Sequence, residues 1–213
     1  SVPARRAFYE FIPVSEKRVS EQMQVFERLK KSGPIHGIAL HSPYTVSKEG
    51  WKALWQFIEA DAHIVSMHFR ENHEEIDMLD KGSGALYDKI IRAVPEFTPL
   101  GNALGSLQLI LEKLHACKRF LFVHNVVIRR EDLVLIDDRL DDRAYYVVCP
   151  SSNLKLSGDL APNFLFDNKP DYICMGTDSM ASSENQSVFG ELKIIERYRS
   201  ISLVSLLKFA TIN

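Results

Sequence analysis

The sequence predicts an α/β protein in which parallel strands alternate with helices. Two features carry that reading, and a third decides its variety. Six short apolar runs recur along 213 residues, centred on Ala7–Ile12, Ile35–Leu40, His63–Met67, Phe120–Val123, Ala144–Cys149 and Tyr172–Met175. Longer amphipathic stretches lie between most of them, and continuous apolar strands with intervening helices bury both faces of a parallel sheet. The third feature is where the titratable residues fall: His41, His68, His124 and Asp178 each stand at or just past the end of an apolar run.

Taken in order, the first strand, AFYEFI, is stopped by Pro13. Ser15 is placed to cap a helix whose Val19, Met23, Phe26 and Leu29 recur at helical spacing and which Gly33 and Pro34 end. The strand at 35–40 leads through His41 and SPYTVS to Ser47, the cap of a helix that buries Trp51, Leu54, Trp55 and Ile58. The strand at 63–67 ends in His68 and is followed by the polar helix ENHEEIDMLDK, with Glu74 and Glu75 on its exposed face. Residues 83–94 read as helix, PEFTP as loop and Leu104–Leu114 as helix; the interval 82–118 is expected to be a helical insertion between strands, too poor in apolar residues for its own core. After the strand ending in His124 comes a helix from Arg130 to Asp137. The strand ending at Cys149 is followed by a polar-glycine loop, SSNLKLSG, and the last strand runs into the GTD turn that ends at Asp178. Helices at 188–199 and 202–209 close the chain.

Composition sets the outer limits. With 46% hydrophobic and 25% charged residues and a formal charge of −2, the chain is ordinary for a globular protein, and no basic surplus points to nucleic acid. No 18-residue apolar stretch exists, so no membrane partner is expected. SVPARR lacks a following apolar core for a signal peptide, and without an initiator Met the natural start is expected upstream. Cys117, Cys149 and Cys174 have neither metal-ligand spacing nor a disulfide pattern, so buried thiols and a cytoplasmic location are the expectation.

A doubly wound sheet and a (β/α) barrel both fit the alternation. An open sheet binds at one switch point, often through a glycine-rich phosphate loop, and no such loop follows any strand here. A barrel instead gathers residues from the carboxyl ends of several strands into one pocket. One histidine at a strand end means little; three with an aspartate favour a functional site. Imidazoles and a carboxylate on rigid strands suit a transition metal. Glu71, three residues after His68, overhangs the same pocket and is placed to move a proton. Asp178 is open to three roles: ligand, proton acceptor, or both. His36 and His63 at strand starts and His73 on a polar helix are read as solvent-facing or packing residues, and His115 at a helix end as a cation on the last turn or a neutral, inert residue.

With those residues identified, the chain resembles the amidohydrolase superfamily, in its aminohydrolase/chlorohydrolase (ATZ/TRZ-like) branch of metal-dependent deaminases. The likeness rests on HSPYTVS at 41–47, HFRE at 68–71, FVHN at 122–125, CPSSNLKLSGDLAP at 149–162, GTDSMASS at 176–183 and LLKFATIN at 206–213. It implies a (β/α)8 TIM barrel of the metal-dependent hydrolase type, here incomplete, with about six βα units equivalent to strands three to eight over residues 1–213. It implies one Zn2+ or Fe2+ per active site, held by His68 and Asp178. His124 would contact substrate or attacking water near the metal, Glu71 would shuttle the proton, and His41 would be a substrate-side donor. Catalysis thus falls to Glu71, His124 and Asp178, and substrate binding to His41 and His124. Ser152 and Asn153 match part of a family motif, but their plain reading is loop hydrogen bonding. Phe97, Tyr87 and Leu104 would form part of a wall over the pocket.

The implied reaction is hydrolytic deamination of a small amino-substituted nitrogen heterocycle: a purine nucleoside, with adenine-containing ones first, a pyrimidine or a triazine. Hydrolytic dechlorination by the same chemistry is the alternative within the family, and a non-catalytic structural or regulatory relative is the alternative outside catalysis. The second alternative arises because the family's His-x-His pair is nowhere in the sequence. The family's first two strands and its β-sandwich are likewise unmatched, so the chain is expected to be a fragment, a truncated product or a degenerate gene product, inactive alone. Unpaired edges at 7–12 and 172–177 would then favour a homo-oligomer.

Overall fold

In the computed structural model of the chain, residues 6–33, 35–61, 64–95, 97, 106–114, 116–183 and 186–213 are described. The expectations for Pro34, His63, Leu104 and His115 therefore lie outside the described residues. The six strands follow one another along a parallel sheet in sequence order. This is the expected α/β architecture, a parallel sheet flanked by helices, of the incomplete (β/α)8 type. The chain divides into two compact units, one of residues 1–67 and 74–120, the other of 68–73 and 121–213.

In the first unit, β1 (Phe8–Phe11) pairs in parallel with β2 (Gly37–Leu40), placing Phe8 opposite Gly37 and Phe11 opposite Leu40. Between them runs α1 (Glu16–Ser32), capped by the Ser15 hydroxyl, which accepts from the Arg18 amide. Only Phe26 of the helical stripe is fully buried, while Leu29 is exposed, so the apolar face is narrower than the spacing suggested. Gly37 admits a close approach: a Cβ there would overlap the Ile64 carbonyl oxygen and the Phe8 ring. Ser47 caps α2 (Lys48–Asp61) by accepting from the Gly50 amide at 3.1 Å, as expected, and Trp51, Leu54 and Ile58 are buried beneath that helix. β2 pairs with the first four residues of β3 (Ile64–Phe69), Gly37 opposite Ile64 and Leu40 opposite Met67.

The same unit holds α3 (His73–Lys81) from Glu74 onward, α4 (Ala85–Ala93) and α5 (Ser106–Leu114). Glu74 is exposed as expected, but Glu75 is fully buried, because it lies on the face that also buries Met78. Much of the interval read as an insertion thus packs as helices within this unit.

The second unit begins with the tail of β3 and takes up β4 (Arg119–His124) from Leu121. It continues through α6 (Arg130–Leu140), β5 (Ala144–Val148), α7 (Pro150–Leu156), α8 (Asn163–Asn168), β6 (Ile173–Met175), α9 (Val188–Tyr198) and α10 (Leu203–Thr211). β5 and β6 pair in parallel with Tyr146 opposite Ile173 and Val148 opposite Met175. The core is aromatic: Phe69 meets Phe122 edge to face, and Phe122 stacks on Tyr146. The polar stretch after Cys149, expected as a loop, is the helix α7 with Pro150 at its first turn, and α8 was not anticipated.

Among the described residues no disulfide forms, and burial pushes the Cys174 thiol up to about 11 and the Cys149 thiol higher still. No helix among them is long and apolar enough to cross a membrane.

Candidate metal centre

Two strand ends build the centre, and both leave the sheet through left-handed residues. After β3, Arg70 has φ 52°; at the end of β4, His124 and Asn125 have φ 78° and 58°. Such conformations cost a residue with a Cβ roughly 1–3 kcal/mol each and persist only where surrounding contacts fix them. Here the contacts are backbone bonds between the two turns: the Asn125 amide donates to the Phe69 carbonyl at 3.0 Å and the Val127 amide to the Arg70 carbonyl at 2.8 Å. The Asn125 side chain adds a bond to the Phe122 carbonyl at 2.8 Å.

This double turn brings His68, Glu71 and His124 together, with one ligand atom from each lying within 4.8 Å of the others. The two imidazole rings meet edge on with centroids 4.7 Å apart, and His124 Nε2 lies 3.6 Å from Glu71 Oε1. His124 is buried to 1% exposure, whereas His68 and Glu71 are half-buried.

Asn153 on α7 sets the tautomer of the neutral His124 ring. Its Oδ1 lies 2.9 Å from His124 Nδ1, and its Nδ2 donates to the His124 carbonyl at 3.3 Å. An amide oxygen only accepts, so the Nδ1 proton is committed to it and Nε2 is left with its lone pair. That Nε2 is buried and makes no hydrogen bond among the described residues. A buried imidazole nitrogen with a lone pair and no donor, beside a second imidazole and a carboxylate, fits a divalent transition metal, and the Asn153 contact is the outer support such ligands ordinarily have.

Asp178 stands in the turn after β6, at φ 55°. Gly176 permits that turn, since a Cβ there would press on Cys149 Sγ and Val147 Cγ1, each at 2.9 Å. One carboxylate oxygen accepts from Ser152 Oγ at 2.5 Å and Ser182 Oγ at 2.6 Å, the other from the Ser179 amide at 2.7 Å. Burial pushes the carboxyl upward, but the three donors and the nearby His124 outweigh it and hold Asp178 below its ordinary value. Behind this turn, the fully buried Glu191 on α9 accepts from the Ser151 amide at 2.7 Å and from Ser183 Oγ at 3.5 Å.

Of the residues singled out in the sequence, His68, Glu71 and His124 form the cluster. Asp178 lies outside the 4.8 Å group, in the same unit, with its carboxylate engaged by hydroxyls. His41 belongs to the first unit, where its Nδ1 lies 3.1 Å from Ser42 Oγ and 3.2 Å from Thr45 Oγ1. Ser152 and Asn153, read as loop residues, are helical and bond directly to Asp178 and His124. Pro150 was the available signal, because proline favours the first helical position. Ser182 entered only as part of GTDSMASS, and nothing in the local sequence marked Glu191.

Against known proteins, the model of the amidohydrolase family matches residues 4–213. The aminodeoxyfutalosine deaminase of a Nitratiruptor species is 29% identical over 156 residues, 73% of this chain and 36% of that protein. The 5-methylthioadenosine/S-adenosylhomocysteine deaminase of Saccharophagus degradans is 26% identical over 185 residues, 83% of this chain and 36% of that protein. The crystal structure of Helicobacter pylori aminofutalosine deaminase in complex with methylthio-coformycin superimposes with a TM-score of 0.80 at 25% identity, covering 95% of this chain and 50% of that one. The chain thus spans about a third of the length of these two curated relatives.

Proposed function

The chain belongs to the amidohydrolase family, and on that premise we propose that its protein catalyses metal-dependent hydrolytic deamination of an amino-substituted nitrogen heterocycle, an adenine-containing nucleoside first. The observation that carries this reading is the cluster of His68, Glu71 and His124 around a buried, lone-pair-bearing Nε2. The relatives named as deaminases of adenosine derivatives support the substrate class.

Zn2+ or Fe2+, one per site, is the proposed cofactor. His68 and Asp178 would hold it, with Asp178 already ionised by its hydroxyl donors, and His124 Nε2 would face it. When bound, such an ion supplies Lewis-acid activation of water for attack on the ring carbon that bears the exocyclic amine. Glu71 takes the proton lost by the water and delivers it to the adjacent ring nitrogen; its half-buried carboxylate, 3.6 Å from His124 Nε2, has the reach for this relay. His124 is held by Asn153 as an acceptor at Nε2, so it orients water or substrate through that nitrogen. Water and the amine-bearing ring become the ring carbonyl and ammonia, so the proton count closes. His41 is the proposed substrate-side donor.

The test measures ammonia and chloride release by the metal-loaded full-length protein across purine nucleosides, pyrimidines, aminotriazines and chlorotriazines. The expected result is ammonia from an adenine-containing nucleoside, lost on chelation and restored by Zn2+ or Fe2+. Chloride release alone, or no product from any of the four classes, overturns the reading.

A further inference from the structure

Arg70 sits between His68 and Glu71, and neither the family likeness nor the chemistry above uses its side chain. It is nevertheless deeply committed. Its Nε donates to Asp132 Oδ2 at 3.0 Å and its Nη2 to Asp132 Oδ1 at 2.9 Å, a two-pronged ion pair whose side chains are 4% and 6% exposed. Asp132 is the third residue of α6, and its Oδ2 also accepts from the Arg129 amide at 3.0 Å. The guanidinium is therefore tied to the start of a helix. The Arg70 backbone is tied as well, because its carbonyl accepts from the Val127 amide at 2.8 Å. The next residue is Glu71, whose own carbonyl accepts from Ser157 Oγ at 2.7 Å.

We infer that the Arg70–Asp132 pair is a positioning device that holds the Glu71 carboxylate beside His124 Nε2. Arg70 occupies the left-handed conformation that turns the chain back toward β4, and a residue with a Cβ relaxes out of it unless held. Stability alone does not account for an ion pair here, since apolar side chains of similar volume stabilise a buried site as well or better. What the charged fork adds is direction: two parallel N–H···O lines fix the plane and reach of the arginine, and with it the φ of the residue preceding Glu71. His68 and Glu71 are then presented at a set separation. The inference rests on the reading of Glu71 as the proton carrier, and its structural half stands without that reading.

The experiment uses the full chain and two variants, with Glu71→Gln as the reference. Arg70→Met combined with Asp132→Asn removes both charges at once, which avoids stranding one of them, and the asparagine keeps an acceptor for the Arg129 amide. Arg70→Lys keeps the charge and loses the fork. Thermal unfolding reports the fold, and the 15N resonances of the His124 ring, recorded metal-free at one fixed pH, report whether Glu71 is still beside Nε2. The double variant is expected to fold and to move the His124 Nε2 resonance to its Glu71→Gln position, with Arg70→Lys in between. In the metal-loaded full-length protein, kcat should fall by about a hundredfold with KM little changed, the mark of a misplaced reacting group rather than a lost binding contact.

An unchanged His124 resonance in the folded double variant overturns the inference. If the double variant does not fold, Arg70→Lys decides in the same way: a displaced resonance supports the inference and an unmoved one ends it. A full-length wild-type protein without deaminase activity would sink the functional reading, while the resonance would still judge the positioning role.

Discussion

A neutral His124 ring has one proton and two places to put it, and the Asn153 amide oxygen settles which. With Nδ1 committed, Nε2 carries the lone pair beside Glu71 and His68, and that single assignment makes the cluster chemically useful. Glu71 and Asp178 are both carboxylates near this nitrogen, but their surroundings divide them. Asp178 accepts from two hydroxyls and an amide, which favour its ionised form and fix it; Glu71 has reach toward His124, which supports its proposed role as proton carrier. Accordingly Glu71→Gln should abolish most turnover while bound metal, counted by atomic absorption, stays near wild type, whereas Asp178→Asn should lose both. Equal metal loss in the two variants would move Glu71 into the ligand set. The same environment fixes a pH dependence. Because the folded pKa of Asp178 is depressed, its stabilising contribution is present above the unfolded value of about 4 and is lost as pH falls through the folded one. Ser152→Ala removes one donor and brings the folded value closer to the unfolded, so the acid-unfolding midpoint of the metal-free protein should move to higher pH. A midpoint that stays put or drops would show that Ser152 does not support the carboxylate.

At the scale of elements, α7 is the piece that organises the centre, presenting Ser152 to Asp178 and Asn153 to His124 from consecutive positions. It was illegible as a helix for a physical reason. Its seven residues include two serines and an asparagine, which compete with the backbone for hydrogen bonds and lower helix propensity. What holds its first turn is Glu191, forty positions further on, and no local pattern encodes such a partner. The strands and longer helices were legible because their signals are local: Ser15 and Ser47 cap helices as read, and the apolar runs became strands within a few residues of expectation. His68, Glu71 and His124 were found because strand ends are where α/β folds place chemistry. The value of Asn153 is not local: it depends on its amide oxygen meeting His124 Nδ1 across distant sequence. If Glu191 holds α7, Glu191→Ala should cost about 1–3 kcal/mol in urea unfolding, the range for stranding a buried hydrogen-bonding group. An unaltered midpoint would mean that α7 keeps its place without the carboxylate.

For the whole molecule, the division into units gives the centre a discontinuous origin. Residues 68–73 and 121–213 form one unit, and the chain between them belongs to the other, so His68 and Glu71 reach His124 only across a long excursion of sequence. Closing that excursion costs conformational entropy, which a ligand binding both segments at once helps to offset by favouring the folded arrangement. A metal at a hundred times its dissociation constant adds about 2.7 kcal/mol to whatever opening exposes the site. Stability within a protein is not uniform, and local opening is governed by the unit that opens. Zn2+ should therefore raise amide protection most in β4, β5 and α7 of the second unit, and less in α1 and α2 of the first. Hydrogen exchange followed by mass spectrometry with and without Zn2+ reads this directly. Uniform protection across both units would mean that the chain opens only as a whole, and no protection at β4 would mean that an ion held by His68 and Asp178 does not engage His124.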